Sequence, residues 1–167
     1  MLILLLQTAL GSPNILNGDY VLDESLSVAQ KRRAVAAEKT LDSANFIVRT
    51  LASSRLENKP NICESYVFRK AGAGLEVTCD QQPMITVMLD GSTSRYPKPD
   101  GSFLEVIAKV EADKITQEFA GPAGALTVSW IFRGDQILVR KQLSSSYFAV
   151  PLVLELPYRR VANSKLP

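Results

Sequence analysis

Any chemistry in this chain is built without histidine, because the sequence contains none. That excludes a serine or cysteine nucleophile activated by imidazole, a histidine-bearing zinc site and an imidazole general base. The two cysteines, Cys63 and Cys79, are too few for a thiolate metal site. Acidic pairs such as Glu105 with Glu111 or Glu118 fall along strand faces, and nothing sets two carboxylates across a cleft. Gly72 and Gly74 lack the lysine and hydroxyl residue of a phosphate loop, and Arg133-Gly134-Asp135 reads as turn chemistry. The chain is therefore expected to be non-enzymatic, with no cofactor, metal or catalytic residue. Four polar anchors remain: Arg69, Arg140, Tyr147 and Tyr158. An arginine among them would grip a carboxylate or phosphate through two parallel hydrogen bonds. Val87, Val106, Val128 and Trp130 are the apolar residues expected to line a ligand space beside them.

Those residues sit on a pattern of period two that runs from Pro60 almost to the end. Tyr66 and Phe68 alternate with Val67 and Arg69, and Leu75, Val77 and Cys79 alternate with Glu76, Thr78 and Asp80. Ile85 to Leu89, Leu104 to Val110, Ile115 to Phe119, Leu126 to Phe132, Ile137 to Leu143 and Leu152 to Tyr158 continue the pattern. Turn signals separate them, including Ala71-Gly72-Ala73-Gly74, Asp90-Gly91 and Gly134-Asp135. With a first strand over Asn17 to Asp23, this predicts about nine antiparallel strands. The inward face would carry Leu75, Val77, Ile85, Val87, Leu104, Val106, Leu126, Val128, Trp130, Leu152 and Leu154. A hollow barrel and a filled one share this alternation.

Between the first strand and Pro60 the period changes. Ser27 and Gln30 fit a capping box. Ala34, Ala37, Leu41, Ala44, Ile47 and Leu51 then form one helical face, expected to point onto the sheet. One helix over Ser27 to Ser54 would be about 40 Å long, more than a small barrel's width. Thr40, Asp42 and Ser43 can cap a second helix, so a pair with a break there is expected, closing one end of the barrel. Lys31, Arg32 and Arg33 should face solvent at the rim.

The chain has 167 residues, 46% hydrophobic and 22% charged, which suits one soluble domain. Its net charge of +2 does not argue for a nucleic-acid partner. Residues 1–11 are apolar but too short to span a bilayer, and no transmembrane segment is expected. They read as the remnant of a secretory signal, or alternatively as a buried strand, ahead of a single domain over 12–167. If a hairpin is centred on Ala71, Cys63 and Cys79 come close to facing each other. They are then either a disulfide, in keeping with a periplasmic or secreted protein, or two buried thiols in a cytoplasmic one.

The chain resembles the calycins, the lipocalins and fatty-acid-binding proteins, and more closely the small bacterial lipocalin-like proteins. Asn17-Gly18-Asp19-Tyr20-Val21-Leu22 is similar to that group's opening Asn-Gly-x-aromatic-x-Leu strand, and Ser25 and Ser27 follow as a serine does there. Leu89-Asp90-Gly91, with Pro97, Asp100 and Gly101, looks like the group's mid-barrel turns, and Tyr158-Arg159-Arg160 like its closing strand. The helical pair stands where fatty-acid-binding proteins place a lid. Leu156 replaces the arginine that those proteins carry two residues before the closing tyrosine, so their Arg-x-Tyr clamp is not present in its usual form. The resemblance implies an up-and-down β-barrel that binds a small hydrophobic or amphipathic, lipid-like ligand. The alternative is a filled barrel acting as a secreted or envelope structural or interaction domain.

Overall fold

The computed structural model describes residues 16–162, apart from 57, 58, 81, 99, 122 and 123. The signal-like residues 1–11 lie outside the described residues. The elements run β1 (Gly18–Leu22), α1 (Leu26–Asp42), α2 (Phe46–Leu56), β2 (Ser65–Ala71), β3 (Gly74–Cys79), β4 (Ile85–Met88), β5 (Thr93–Pro97), β6 (Phe103–Val110), β7 (Lys114–Gly121), β8 (Gly124–Arg133), β9 (Gln136–Ser144) and β10 (Leu152–Arg160).

All pairings are antiparallel, in the order β4-β3-β2-β1-β10-β9-β8-β7-β6-β5. The expected up-and-down barrel with a helical pair after its first strand is what forms. It is nearly closed: β4 and β5 approach each other but share no ladder. The register keeps one face inside throughout. Tyr20 pairs with Tyr66, Tyr66 with Cys79, and Leu75 with Val87. On the other side Leu22 pairs with Tyr158, Tyr158 with Ile137, and Ile137 with Phe132. A slip of one residue would turn every one of these side chains outward, so burial fixes the register.

The tenth strand, β5, carries no apolar alternation. Its Thr-Ser-Arg-Tyr-Pro sequence buries only Ser94, which is why period two missed it. Its proline and short length suit an edge.

The helices break where expected, but two details differ. The N-cap of α1 is Ser25, whose Oγ accepts from Val28 N at 3.4 Å, and not Ser27. The buried side of α1 is Ala29, Ala37 and Thr40, with Ala36 and Leu41 half-buried, while Ala34 is exposed. The alanines allow close approach to β10, where Arg32 donates to the Glu155 carbonyl, and Thr40 buries its hydroxyl by donating it to Ala36 O at 3.1 Å. Arg32 also pairs with Glu24 at 2.7 Å, Lys31 is exposed, and Arg33 is half-buried.

After the break, Asn45 Oδ1 accepts from Val48 N at 2.9 Å and caps α2 afresh. The helical phase restarts at that cap. Leu56 is therefore buried with Val48 and Ala52 partly covered, whereas Ile47 and Leu51, expected to face the sheet, are 69% and 67% exposed.

The core is unevenly distributed along the barrel. At the end that carries the β2–β3 and β8–β9 turns, aromatic rings fill the interior. Phe68 stands at their centre, 5.6 Å from Tyr20, 6.1 Å from Trp130 and 5.8 Å from Phe132 by ring centroid. The spacings and steep interplanar angles are those of favourable edge-to-face pairs. The opposite end, beneath α2, is hollow.

Candidate functional site

Two adjoining chambers occupy the hollow end. The larger, about 800 Å³, lies between α2, the upper ends of β6 to β9 and the segment after β9; Val48, Leu56, Ala125 and Phe148 are among its walls. The smaller, about 340 Å³, lies deeper, against Tyr66, Val128, Trp130 and Lys141. Leu104, Phe119, Leu126 and Leu143 border both chambers and form a neck, with Lys59 and Lys98 beside it. Gly124 holds the β7–β8 end tight against β9, since a Cβ there would collide with the Ser144 carbonyl.

Lys141 is the residue that gives this space chemistry. It follows Ile137 and Val139 in the inward register of β9 and is only 7% exposed. Its Nζ donates to Asn61 O at 2.6 Å, lies 3.6 Å from Cys63 Sγ, and stands 5.9 Å from the centroid of the Tyr66 ring. Among the described residues no carboxylate forms an ion pair with it. Burial pulls the ammonium down to about 8; the field of Asp80 opposes this and that of Lys59 adds to it.

The segment that receives Lys141 is anchored several times over. Cys63 and Cys79 form a disulfide with the Cα atoms 5.5 Å apart. The Tyr158 hydroxyl donates to Cys63 O at 2.7 Å. Asp80, at φ 49°, accepts from Glu64 N at 2.9 Å and from Ser65 N at 2.8 Å. The expected hairpin centre on Ala71 is corrected by this geometry. Ala71 pairs with Gly74 and Tyr66 with Cys79, so the centre lies between Gly72 and Ala73. Cys63 precedes β2, and the Asp80 bonds curl its loop back over the barrel mouth. Cys63, Cys79 and Asp80 cluster closely, but the sulfurs are bonded to each other and the carboxylate is taken up by N–H groups. The cluster is structural.

Of the residues singled out from sequence, Val128 and Trp130 line the deeper chamber. Tyr147 stands at the rim of the larger one, 63% exposed. Val87 and Val106 are buried inside the barrel but border neither chamber. Tyr158 is fully buried with its hydroxyl committed to Cys63, and burial pushes that hydroxyl well up. Arg69 and Arg140 lie on the outer face. Arg69 pairs with Asp19 at 2.6 Å and Arg140 with Glu155 at 3.3 Å, and neither reaches a chamber. An outward arginine is the expected result of its phase, since both alternate with buried neighbours.

Two polar residues in the barrel interior lie outside the sequence-predicted site, Lys141 and Gln117. Lys141 interrupts Ile137, Val139 and Leu143; Gln117 interrupts Ile115 and Phe119. A polar residue inside an otherwise apolar phase was the available signal. Gln117 is fully buried, and its Nε2 donates to Thr86 O at 3.5 Å across the barrel.

No protein-family profile and no curated protein sequence matches the chain. Solved structures do. A Schistosoma mansoni fatty acid binding protein in complex with arachidonic acid superposes with a TM-score of 0.55 at 15% identity, over 91% of this chain and 100% of the other. Echinococcus granulosus fatty-acid-binding protein 1 gives 0.53 at 12%, over 89% and 99%. Caenorhabditis elegans lipid binding protein 8 gives 0.53 at 10%, over 90% and 98%. At these identities the likeness is one of fold: the chain has the calycin barrel in its fatty-acid-binding-protein form.

Proposed function

We propose that the barrel binds a small hydrophobic or amphipathic, lipid-like ligand without catalysis. The observation that carries this reading is the hollow upper half. An apolar chamber of about 800 Å³ leads to one of about 340 Å³ lined by the buried Lys141 amine, which has no carboxylate partner among the described residues. Volumes of this order suit a small-molecule ligand, and a few polar groups in apolar walls fix its orientation. The ligand's tail would lie under α2 among Leu56, Leu126 and Phe148, with its polar end toward Lys141. The names of the similar barrels, which record arachidonic acid and lipid binding, support the reading.

The alternative, a structural or interaction domain, draws on the exposed Phe46, Ile47 and Leu51 of α2. It requires a filled interior and is the weaker for the two chambers. A periplasmic or secreted setting is part of the proposal; the Cys63–Cys79 disulfide supports it. Native mass spectrometry of freshly purified protein tests the function. Co-purified lipid, or saturable displacement of anilinonaphthalene sulfonate by long-chain amphiphiles, is expected. An empty protein that binds no amphiphile at micromolar concentration refutes it.

A further inference from the structure

We infer that Lys141 captures carbonyl ligands covalently, forming an imine with a long-chain aldehyde seated in the two chambers. This rests on the proposed binding function and adds the chemical class of the ligand's polar end.

The geometry sets the amine up as a nucleophile. Asn61 O fixes one N–H of Nζ at 2.6 Å, and Tyr66, Val128 and Trp130 supply the walls of the chamber around it. Among the described residues no carboxylate pairs with it, and burial, aided by the charge of Lys59, outweighs what the Asp80 field, the Asn61 carbonyl and the Tyr66 ring give the charged form. An apolar pocket of this kind favours the neutral amine, which retains its lone pair. Lys109 and Lys114 show the contrast. Both pair with Glu111, at 2.8 and 2.7 Å, and that contact raises Lys109 and favours its ammonium. Near pH 8, Lys141 is roughly a hundredfold richer in neutral amine than an ordinary lysine.

The chemistry balances without any further reagent. The Nζ lone pair adds to the aldehyde carbon, forming the C–N bond and a carbinolamine. The C–O bond then breaks and the oxygen leaves as water, carrying both amine hydrogens. A C=N bond remains, and the chain of the aldehyde points through the neck toward α2. Hydrolysis reverses the step, so capture is reversible.

The test incubates the oxidised protein with stoichiometric dodecanal near pH 8, reduces with sodium cyanoborohydride and maps peptides by mass spectrometry. Dodecanol, which cannot form an imine, is titrated in parallel. The expected result is a gain of one aldehyde less one oxygen atom. It should fall on Lys141 at least roughly tenfold above any surface lysine. Lys141→Met should lose that label while the low labelling of the surface lysines stays as in wild type. Should the variant not fold, the wild-type peptide map decides alone. Dodecanol binding with label spread over surface lysines, or absent from Lys141, overturns the inference and leaves the binding function standing. Failure of both dodecanol and dodecanal to bind overturns the two together.

Discussion

A lysine buried without a carboxylate makes stability depend on pH in a specific direction. Lys141 titrates near 8 in the folded chain and near the ordinary 10.5 when unfolded. Between those values the unfolded chain binds more protons, so the folded state gains stability as pH rises. Tyr66 and Tyr158 work in the opposite sense. Burial holds both hydroxyls above the usual 10.0, so the unfolded chain releases protons first and stability falls above that pH. Lys141 alone should contribute a gain of about 2 kcal/mol from pH 8 to 10, which the tyrosines reduce to about 1 kcal/mol and then turn into a decline. Guanidinium unfolding at both pH values, with Lys141→Met as the control lacking the gain, measures it. Ligand binding responds in turn. A long-chain carboxylate needs the ammonium, so its affinity should weaken above pH 8 by up to about tenfold per pH unit in calorimetric titration. Asp80, Lys59 and Tyr66 face Lys141, and burial holds the Tyr66 hydroxyl neutral through that range.

At the scale of elements, the lid helix and the loop beneath it differ in how they are fastened. α2 buries little beyond Leu56, whereas the Cys63 loop is held by a disulfide, Tyr158, Asp80 and Lys141. Amides of α2 should therefore exchange ahead of those in β8 around Trp130, and dodecanol should slow them. Equal protection of both, unchanged by the ligand, would make α2 fixed packing. Replacing both cysteines by serine should cost about 3 kcal/mol, as expected for a closed loop of this length, and should loosen the Asn61 contact to Lys141. Much of this was readable in the sequence. Period two shows nine strands because their inner faces are mostly apolar, Gln117 and Lys141 apart. The helix break was visible in Thr40, Asp42 and Ser43. The phase of α2 was not, because Asn45 restarts it. Nor was β5, because an edge strand beside a gap has little to bury. The site was less legible: arginine and tyrosine attract notice for their chemistry, but the phase of Lys141 mattered more than its residue type.

For the whole molecule, the division between a packed end and a hollow end separates stability from binding. Phe132→Ala in the packed end should cost about 3–5 kcal/mol while leaving amphiphile affinity within a few-fold. Leu126→Trp or Leu143→Trp at the neck should do the reverse. Each fills space between the chambers, so stability should change by less than about 1–2 kcal/mol while affinity drops at least roughly tenfold. Chemical denaturation and fluorescent-probe displacement on the same variants check both. Equal losses in both properties would mean that the hollow end shares the core's packing.

The pairing of β1 with β10 has a consequence for the order in which the molecule can be made. Tyr20 and Arg160 are ladder partners, and Arg32 of α1 reaches the Glu155 carbonyl. A ribosome releases the first of each pair long before the second. Until the last nine-residue strand emerges, the nascent chain has no partner for one side of β1, and α1 has no surface to dock on. Closure is thus a late, long-range event, which favours slow folding. It also leaves two open strand edges, on β1 and β9, in a product that ends between Ser144 and Leu152. Ribosome-stalled chains ending before and after β10 should differ sharply in protease resistance. The short one should be degraded, and the long one should survive from β1 onward.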